Sequence, residues 1–460
     1  MKKALLILIL LALVMGGWLV SRMWSLEREA GDNNATAQEP ADVPTNRPDS
    51  TQEPEPEPEP CTEEEDRLRE EELQAEIAAK REYVLEESRS LFIGYFYEEA
   101  VELLNEDELL INNETQALEA EVLAAIDRRV LFEGEVKHIF FHSLILYPEH
   151  IYHNITSPSN TYAYFLYQRE LERLLPQLYE RGYVLYDINL VFSRNDDGVM
   201  QRNDIYLPPG KKPLIISLDD MNYHYGVGFA HRVILDENGE LATEVITPQG
   251  DKIITYDGDT HLMIDDFVRE NPGFSYRGHK GILAVTGSAA TRRRQPDGSR
   301  RNVGIFGYYL DDEQDWLDAK AVSAKFIENG WLFANHSFTH NANSNRGAFW
   351  APGSVPDLIR NDVRRWREQL EPLIGPTNLF IAPGGFLLRG ESMQIIIDNG
   401  YDIYCTVDSR QTVNIHPTHV VMGRIEISWW NLIHQATALN RDFFDVASVI
   451  DSHRPPLAPL

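Results

Sequence analysis

Cysteine is scarce in this chain of 460 residues: only Cys61 and Cys405 occur. They fall in stretches of different composition, so no internal disulfide is expected, and no CxxC pair exists to build a thiolate metal site. Any metal must therefore be held by imidazole and carboxylate. Positive charge is also short. The 42 basic residues face 72 acidic ones, a formal charge of −30, the opposite of what a general nucleic-acid binder needs. One long uncharged apolar run occurs, Ala4 to Val20, and at helical rise it reaches about 25 Å, enough for a thin bilayer core. Met1-Lys2-Lys3 ahead of it favours a cytoplasmic N-terminus. No small-x-small cleavage site closes the run; Ala35-Thr36-Ala37 lies well downstream. A membrane anchor over residues 1–24 is expected, with the rest outside the cytoplasm. A cleaved secretory signal would leave the chain in the same compartment.

The hydrophobic fraction, 43%, is ordinary, so most of the chain can fold. Residues 25–62 are the exception. They end in alternating glutamate and proline, Glu53 to Pro60, which is stiff, extended and self-repelling. Residues 63–130 read as a helical stalk, mostly charged through Lys80. Within it, Gly94-Tyr95-Phe96-Tyr97-Glu98-Glu99-Ala100 looks like the turn of one tetratricopeptide-type hairpin. A single unit makes no repeat array, and a protein partner on the stalk is left open.

From residue 131 to 460 the pattern becomes α/β. Lys137 to Ile145 reads as a buried strand and residues 161–181 as an amphipathic helix with Leu171, Leu174, Leu175 and Leu178 near helical spacing. Tyr183-Val184-Leu185, Leu214 to Leu218, Gly281 to Val285, Gly330 to Ala334, Asn378 to Ile381 and Tyr401 to Tyr404 read as further strands, with helices such as Trp316 to Asn329 between them. Such alternation predicts parallel strands. Residues 229–257 break it with inserted β-hairpins.

The chemistry sits at predicted strand ends, where α/β barrels keep their sites. Asp219-Asp220 closes Leu214 to Leu218; neighbouring strand residues point to opposite faces, so both acids can share a site only where the chain turns. His336-Ser337-Phe338-Thr339-His340 follows Leu332-Phe333-Ala334, and an i, i+4 histidine pair on a helical turn suits one metal. Two imidazoles and one carboxylate form a three-ligand zinc site with an open position, the pattern of metal-assisted hydrolysis. That chemistry also needs a base and an acid for the leaving nitrogen.

Ser217-Leu218-Asp219-Asp220 and His336 to His340 resemble the first two motifs of the polysaccharide deacetylase (chitooligosaccharide deacetylase-like) family. The resemblance implies a distorted (β/α)7 barrel, with Asp219 as general base and Asp220, His336 and His340 as ligands to a divalent metal, expected to be Zn2+. Phe380-Ile381-Ala382-Pro383-Gly384-Gly385 is similar to the third motif, in which the backbone N–H of Gly384 would stabilise the oxyanion. Ile381 stands where the family has the arginine that orients the base, and Gly384 where a tyrosine is common. The family's acid histidine has two candidates. Leu432-Ile433-His434 matches the motif's letters inside a predicted helix, Ser428 to Leu439. Phe140-Phe141-His142 ends the first strand and resembles a permuted branch, the bacterial exopolysaccharide deacetylases that act on poly-N-acetylglucosamine. His142 is preferred on strand-end geometry.

The implied activity is deacetylation of N-acetylglucosamine-containing polysaccharide. O-acetyl ester hydrolysis and glycan binding without turnover remain alternatives. A glycosidase fits less well, because the histidines already explain Asp219-Asp220. Around the site, Asp408 could orient a histidine, His224 could line the pocket, and Trp429-Trp430 could stack on sugar. The segment Arg292 to Arg301 holds five arginines in ten residues. It reads as a solvated loop or as a contact with an anionic wall polymer.

Overall fold

The computed structural model describes residues 63–153, 160–223, 226–288, 291–295, 297–340 and 356–454. The expected anchor (1–24) and linker (25–62) lie outside the described residues, as does His224. No helix among the described residues is long and apolar enough to cross a membrane. Every described strand belongs to one compact unit, Arg67–Leu460.

The expected stalk is three helices. α1 (Glu63–Ile93) is built of strong helix formers behind an acidic first turn, which suits the helix dipole. Its first half is exposed, and only Val84, Leu85 and Ser88 are buried. Tyr95, at φ +69°, turns the chain into α2 (Tyr97–Leu104). α3 (Asn113–Asp127) starts at Asn112, whose side chain accepts from the Glu114 and Thr115 amides. The Tyr95 hydroxyl donates to Gly273 O at 2.8 Å, and Gly94 O accepts from the Arg277 amide. From Val84 onward these helices are therefore packed into the main unit.

Next come β1 (Lys137–Phe141), α4 (Gln168–Glu180), β2 (Tyr183–Leu185) and β3 (Lys212–Asp219). An inserted antiparallel sheet follows, β4 (Ala230–Leu235), β5 (Leu241–Ile246) and β6 (Lys252–Thr255), then β7 (Gly281–Val285). The hairpin β8 (Thr291–Arg294) and β9 (Arg300–Val303) leads to α5 (Glu313–Glu328) and β10 (Trp331–Asn335). α6 (Pro356–Ile374), β11 (Leu379–Ile381), β12 (Ile403–Val407) and β13 (Val420–Glu426) complete the core.

Seven of these strands close a ring in the order β1–β3–β7–β10–β11–β12–β13 and back to β1, every neighbour parallel. β2 pairs with the lower part of β3, Lys212 to Leu214, while β7 takes Ser217 to Asp219 on the same side. Alternation sorts the side chains. Leu214, Ile216, Leu218, Leu283 and Val285 meet the outer helices, including Leu171, Leu174 and Leu178 of α4. Ile215, Ile282, Ala284, Ala334, Ile381, Ile403, Cys405, Val420 and Met422 fill the inside, Cys405 as a free thiol. The inward series turns polar toward the strand ends: Ile215, Ser217, Asp219 on β3, and Val420, Met422, Arg424, Glu426 on β13.

Several expected boundaries move. β1 stops at Phe141 because the Leu144 amide turns to Asp259 Oδ1 and the Ile145 amide to Leu166 O. The helix expected over 161–181 starts at Gln168, after a short 3-10 turn. The single helix expected over Ser428 to Leu439 is two, Trp429–His434 and Ala436–Asp442. Where a solvated loop was expected, Thr291–Arg294 and Arg300–Val303 pair as an antiparallel hairpin.

Candidate active site

Asp219 is the last residue of β3, and Asp220 follows at φ +62°. This left-handed step lets two adjacent acids face one site. His336 directly follows β10. The expected helical turn between His336 and His340 is absent: Ser337 and His340 take φ +69° and +45°. A buried carboxylate holds that shape instead. Asp362 of α6 accepts from the Phe338 amide (2.8 Å), the Thr339 amide (3.0 Å) and the hydroxyls of Ser337 (3.1 Å) and Thr339 (2.8 Å). Asn335 Oδ1 accepts from the Ser337 amide at 2.7 Å. The two imidazoles still converge, with ring centroids 4.9 Å apart.

The nearest atoms of Asp220, His336 and His340 lie within 4.8 Å of one another. His340 Nε2 is 3.3 Å and His336 Nε2 3.8 Å from Asp220 Oδ1. Bonds of about 2 Å in a tetrahedral site would set ligands ~3.3 Å apart, so the donor set fits a small divalent cation. His336 Nδ1 sits 2.7 Å from Ile381 O. A carbonyl only accepts, so Nδ1 carries the hydrogen and Nε2 presents its lone pair to Asp220. Burial pulls the His336 pKa down to about 4, which keeps the ring neutral. Burial pushes Asp220 up, but His340, His336 and His142 hold it below the usual carboxylate range.

Ile381 is buried in the barrel core and cannot orient the base. Arg424, reaching in from β13, takes that place. It is fully buried; Nη1 donates to Asp219 Oδ1 at 2.8 Å and Nη2 to Oδ2 at 3.0 Å, a fork-on-carboxylate pair. Nη1 also donates to Ser217 Oγ at 2.9 Å, and the guanidinium lies 4.1 Å over the Phe140 ring. Burial alone would raise the Asp219 pKa, but the Arg424 charge and hydrogen bonds keep it far below the carboxylate range. Sequence reading missed Arg424; the available signal was a charged pair, Arg424 and Glu426, in the otherwise apolar run Val420 to Ile427.

His142 follows β1 at the same end of the ring. Its Nδ1 lies 3.1 Å from Glu426 Oε1. The two side chains form a close pair that favours the protonated ring. Burial lowers the His142 pKa, but Glu426, followed by Asp220 and Asp219, pushes it up to about 9. The loop carrying it is held from the side, where the Leu144 amide donates to Asp259 Oδ1 at 3.1 Å.

Gly384 sits at φ +63° in the turn after β11, three residues beyond Ile381, whose carbonyl meets His336. The remaining candidates fall elsewhere. His434 is exposed and stacks on Trp430, centroids 4.0 Å apart. Trp429 is buried core. Asp408 closes its own turn, accepting from the Arg410 and Thr412 amides, and among the described residues it pairs with no site histidine; the carboxylate beside His142 is Glu426. A cavity of about 560 Å³ opens near the start of β10 and β11, lined by Trp331, Arg367, Asn378 and Asn399 among others, with no histidine or carboxylate.

No family model and no curated protein matches the chain. Solved structures do. The Streptococcus pyogenes deacetylase PplD in complex with acetate is 12% identical, over 68% of this chain and 99% of that one, with a TM-score of 0.35. IcaB from Ammonifex degensii is 14% identical, over 64% and 93%, with a TM-score of 0.36. A de-N-acetylase from Aggregatibacter actinomycetemcomitans is 9% identical, over 64% and 95%, with a TM-score of 0.38.

Proposed function

We propose that the chain is a metal-dependent hydrolase of the polysaccharide deacetylase family that removes acetyl groups from N-acetylated sugars in a cell-wall or extracellular polysaccharide. The observation that carries this reading is the convergence of Asp219–Arg424, Asp220–His336–His340 and His142–Glu426 on one end of one barrel. Asp220, His336 and His340 would hold the divalent cation, with zinc the expected ion. When bound, it supplies a nucleophile near neutral pH and polarises the acetyl carbonyl. Asp219, ionised under Arg424, takes the proton from the attacking water. The Gly384 N–H is placed by the motif resemblance to receive the oxyanion. His142 holds a proton on its ring at neutral pH and gives it to the departing sugar nitrogen.

Glycan binding without turnover was the main rival, because Ile381 replaces the family arginine. Arg424 supports turnover over mere binding, because it pairs with the proposed base from another strand. An extracytoplasmic location with a membrane anchor rests on the Ala4 to Val20 run, and N-terminal sequencing of the mature protein tests it.

The deciding experiment measures acetate released from N-acetylglucosamine oligomers and from O-acetyl esters, with and without divalent metal, alongside elemental analysis of wild type and His336→Ala. Metal-dependent release from the oligomers, and loss of metal in the variant, are expected. Equal metal content in both proteins would overturn the ligand assignment. Release from the esters alone would move the activity to O-deacetylation.

A further inference from the structure

The arginine hairpin takes no part in the chemistry above. β8 and β9 pair antiparallel, with Arg292 opposite Asn302, Arg293 opposite Arg301, and Arg294 opposite Arg300. Alternation puts Arg292, Arg294 and Arg300 on one face, and Arg293 with Arg301 on the other.

The second face is an anchor. Arg293 is buried; its Nη2 donates to Tyr223 O at 2.5 Å and His231 O at 2.6 Å, and Nη1 lies 3.1 Å from His231 Nε2. Gly307 closes over it at φ +88°, where a Cβ would sit 2.5 Å from His231 O. Arg301 donates to Asp311 at 2.7 Å and stacks 4.2 Å over Tyr309. The hairpin leaves the barrel from the far end of β7 and is fastened to the loop that runs on from the ligand Asp220. It is thus a rib held at the catalytic end.

The first face is left open. Arg292, Arg294 and Arg300 are exposed, and none pairs with an acid among the described residues. Arg292 Nε donates to Asn302 Oδ1 at 3.2 Å. Arg294 and Arg300 stand directly opposite, a like-charge cross-strand pair that costs stability. The acid in the turn, Asp297, accepts from the Ser299 amide. In a chain with 72 acidic residues, three guanidinia with no acidic partner among the described residues, on a braced strand pair, call for an anionic occupant.

We propose that this face docks an anionic stretch, phosphodiester or carboxylate, of the polymer that carries the acetylated sugar. Guanidinium forks pair with either group. Docking beside the barrel mouth raises the local concentration of acetylated units there. The link to substrate rests on the deacetylase reading; the binding itself does not.

The test uses the full chain in detergent micelles without added metal. Its probes are poly(glycerol phosphate), polygalacturonate, neutral N-acetylglucosamine oligomers and dihexanoyl phosphatidylglycerol. Wild type should bind one or both polyanions, which tells phosphate from carboxylate. R292Q/R294Q/R300Q should bind at least tenfold more weakly, and its log affinity against log salt should be shallower by about 2, the slope for three contacts on a flexible polyanion. The charge-matched control R269Q/R360Q/R364Q should keep wild-type binding. Equal loss in the control, no loss in the rib variant, or binding of the lipid headgroup instead of the polymers would overturn the proposal. Acetate release by metal-loaded wild type from the neutral oligomers is scored separately. Rib-dependent binding without release would sink the deacetylase reading alone; release without rib-dependent binding would sink the rib alone.

Discussion

The two halves of the site solve one problem in opposite ways. On one side, Asp219 is paired with Arg424, a permanent cation, and is held ionised. On the other, His142 faces Glu426, and its pKa is pushed up to about 9. Both partners stand on β13, two residues apart, on the face that points into the barrel. In the proposed mechanism, the Arg424 charge would make a proton acceptor of Asp219, and the Glu426 carboxylate would keep a proton on His142 as donor. Opposed environments of this kind separate base from acid within one small space.

The sharpest way to break the comparison is to remove each actor. Asp219→Asn and His142→Ala should both retain metal and lose about 10²–10⁴-fold in kcat, the usual size of an acid–base contribution. His434→Ala, on the surface, is the control and should stay near wild type. Collapse in the control with a wild-type rate for His142→Ala would mean the wrong histidine was assigned.

Removing Arg424 tests the base side. Arg424→Met leaves Asp219 buried without its counter-charge, a loss of about 3–5 kcal/mol read by denaturant unfolding. The double variant Arg424→Met/Asp219→Asn should regain much of that stability and none of the activity. Without Arg424 the Asp219 pKa rises, so the low-pH limb of any residual activity should move to higher pH. An unmoved limb would mean that Asp219 is not the base.

The smallest effect is expected on the acid side. Glu426 raises the His142 pKa, so Glu426→Gln lowers it, and the proton is lost at lower pH. The high-pH limb of kcat should fall by about one to three units relative to wild type, as for removal of one close opposite charge. A limb that stays in place would separate Glu426 from the acid.

Much of this was readable beforehand because it is local. Asp219-Asp220 and His336 to His340 each sit within a few residues and mark strand ends, and apolar runs with helical spacing gave the alternation of strands and helices. The rest was supplied from a distance. Arg424 reaches Asp219 from the far side of β1, replacing an arginine expected at 381. Asp362 shapes the His336 loop from a helix, so a helical turn was expected where left-handed residues occur. Glu426 acts where Asp408 was expected to. In each case the residue type was visible in the sequence, but its partner was set by the closing of the ring.

That closing has a consequence for how the molecule comes into being. β1 is the first strand of the ring in sequence, and it pairs with β13, the last, through Ile139 with Ile425 and Phe140 with Glu426. Every barrel strand must therefore be made before Arg424 or Glu426 can reach its partner. A chain emerging N-terminal end first holds Asp219 and His142 without their counter-charges until β13 arrives. So distant a contact is slow to form, and turnover becomes a clock for the final step of folding.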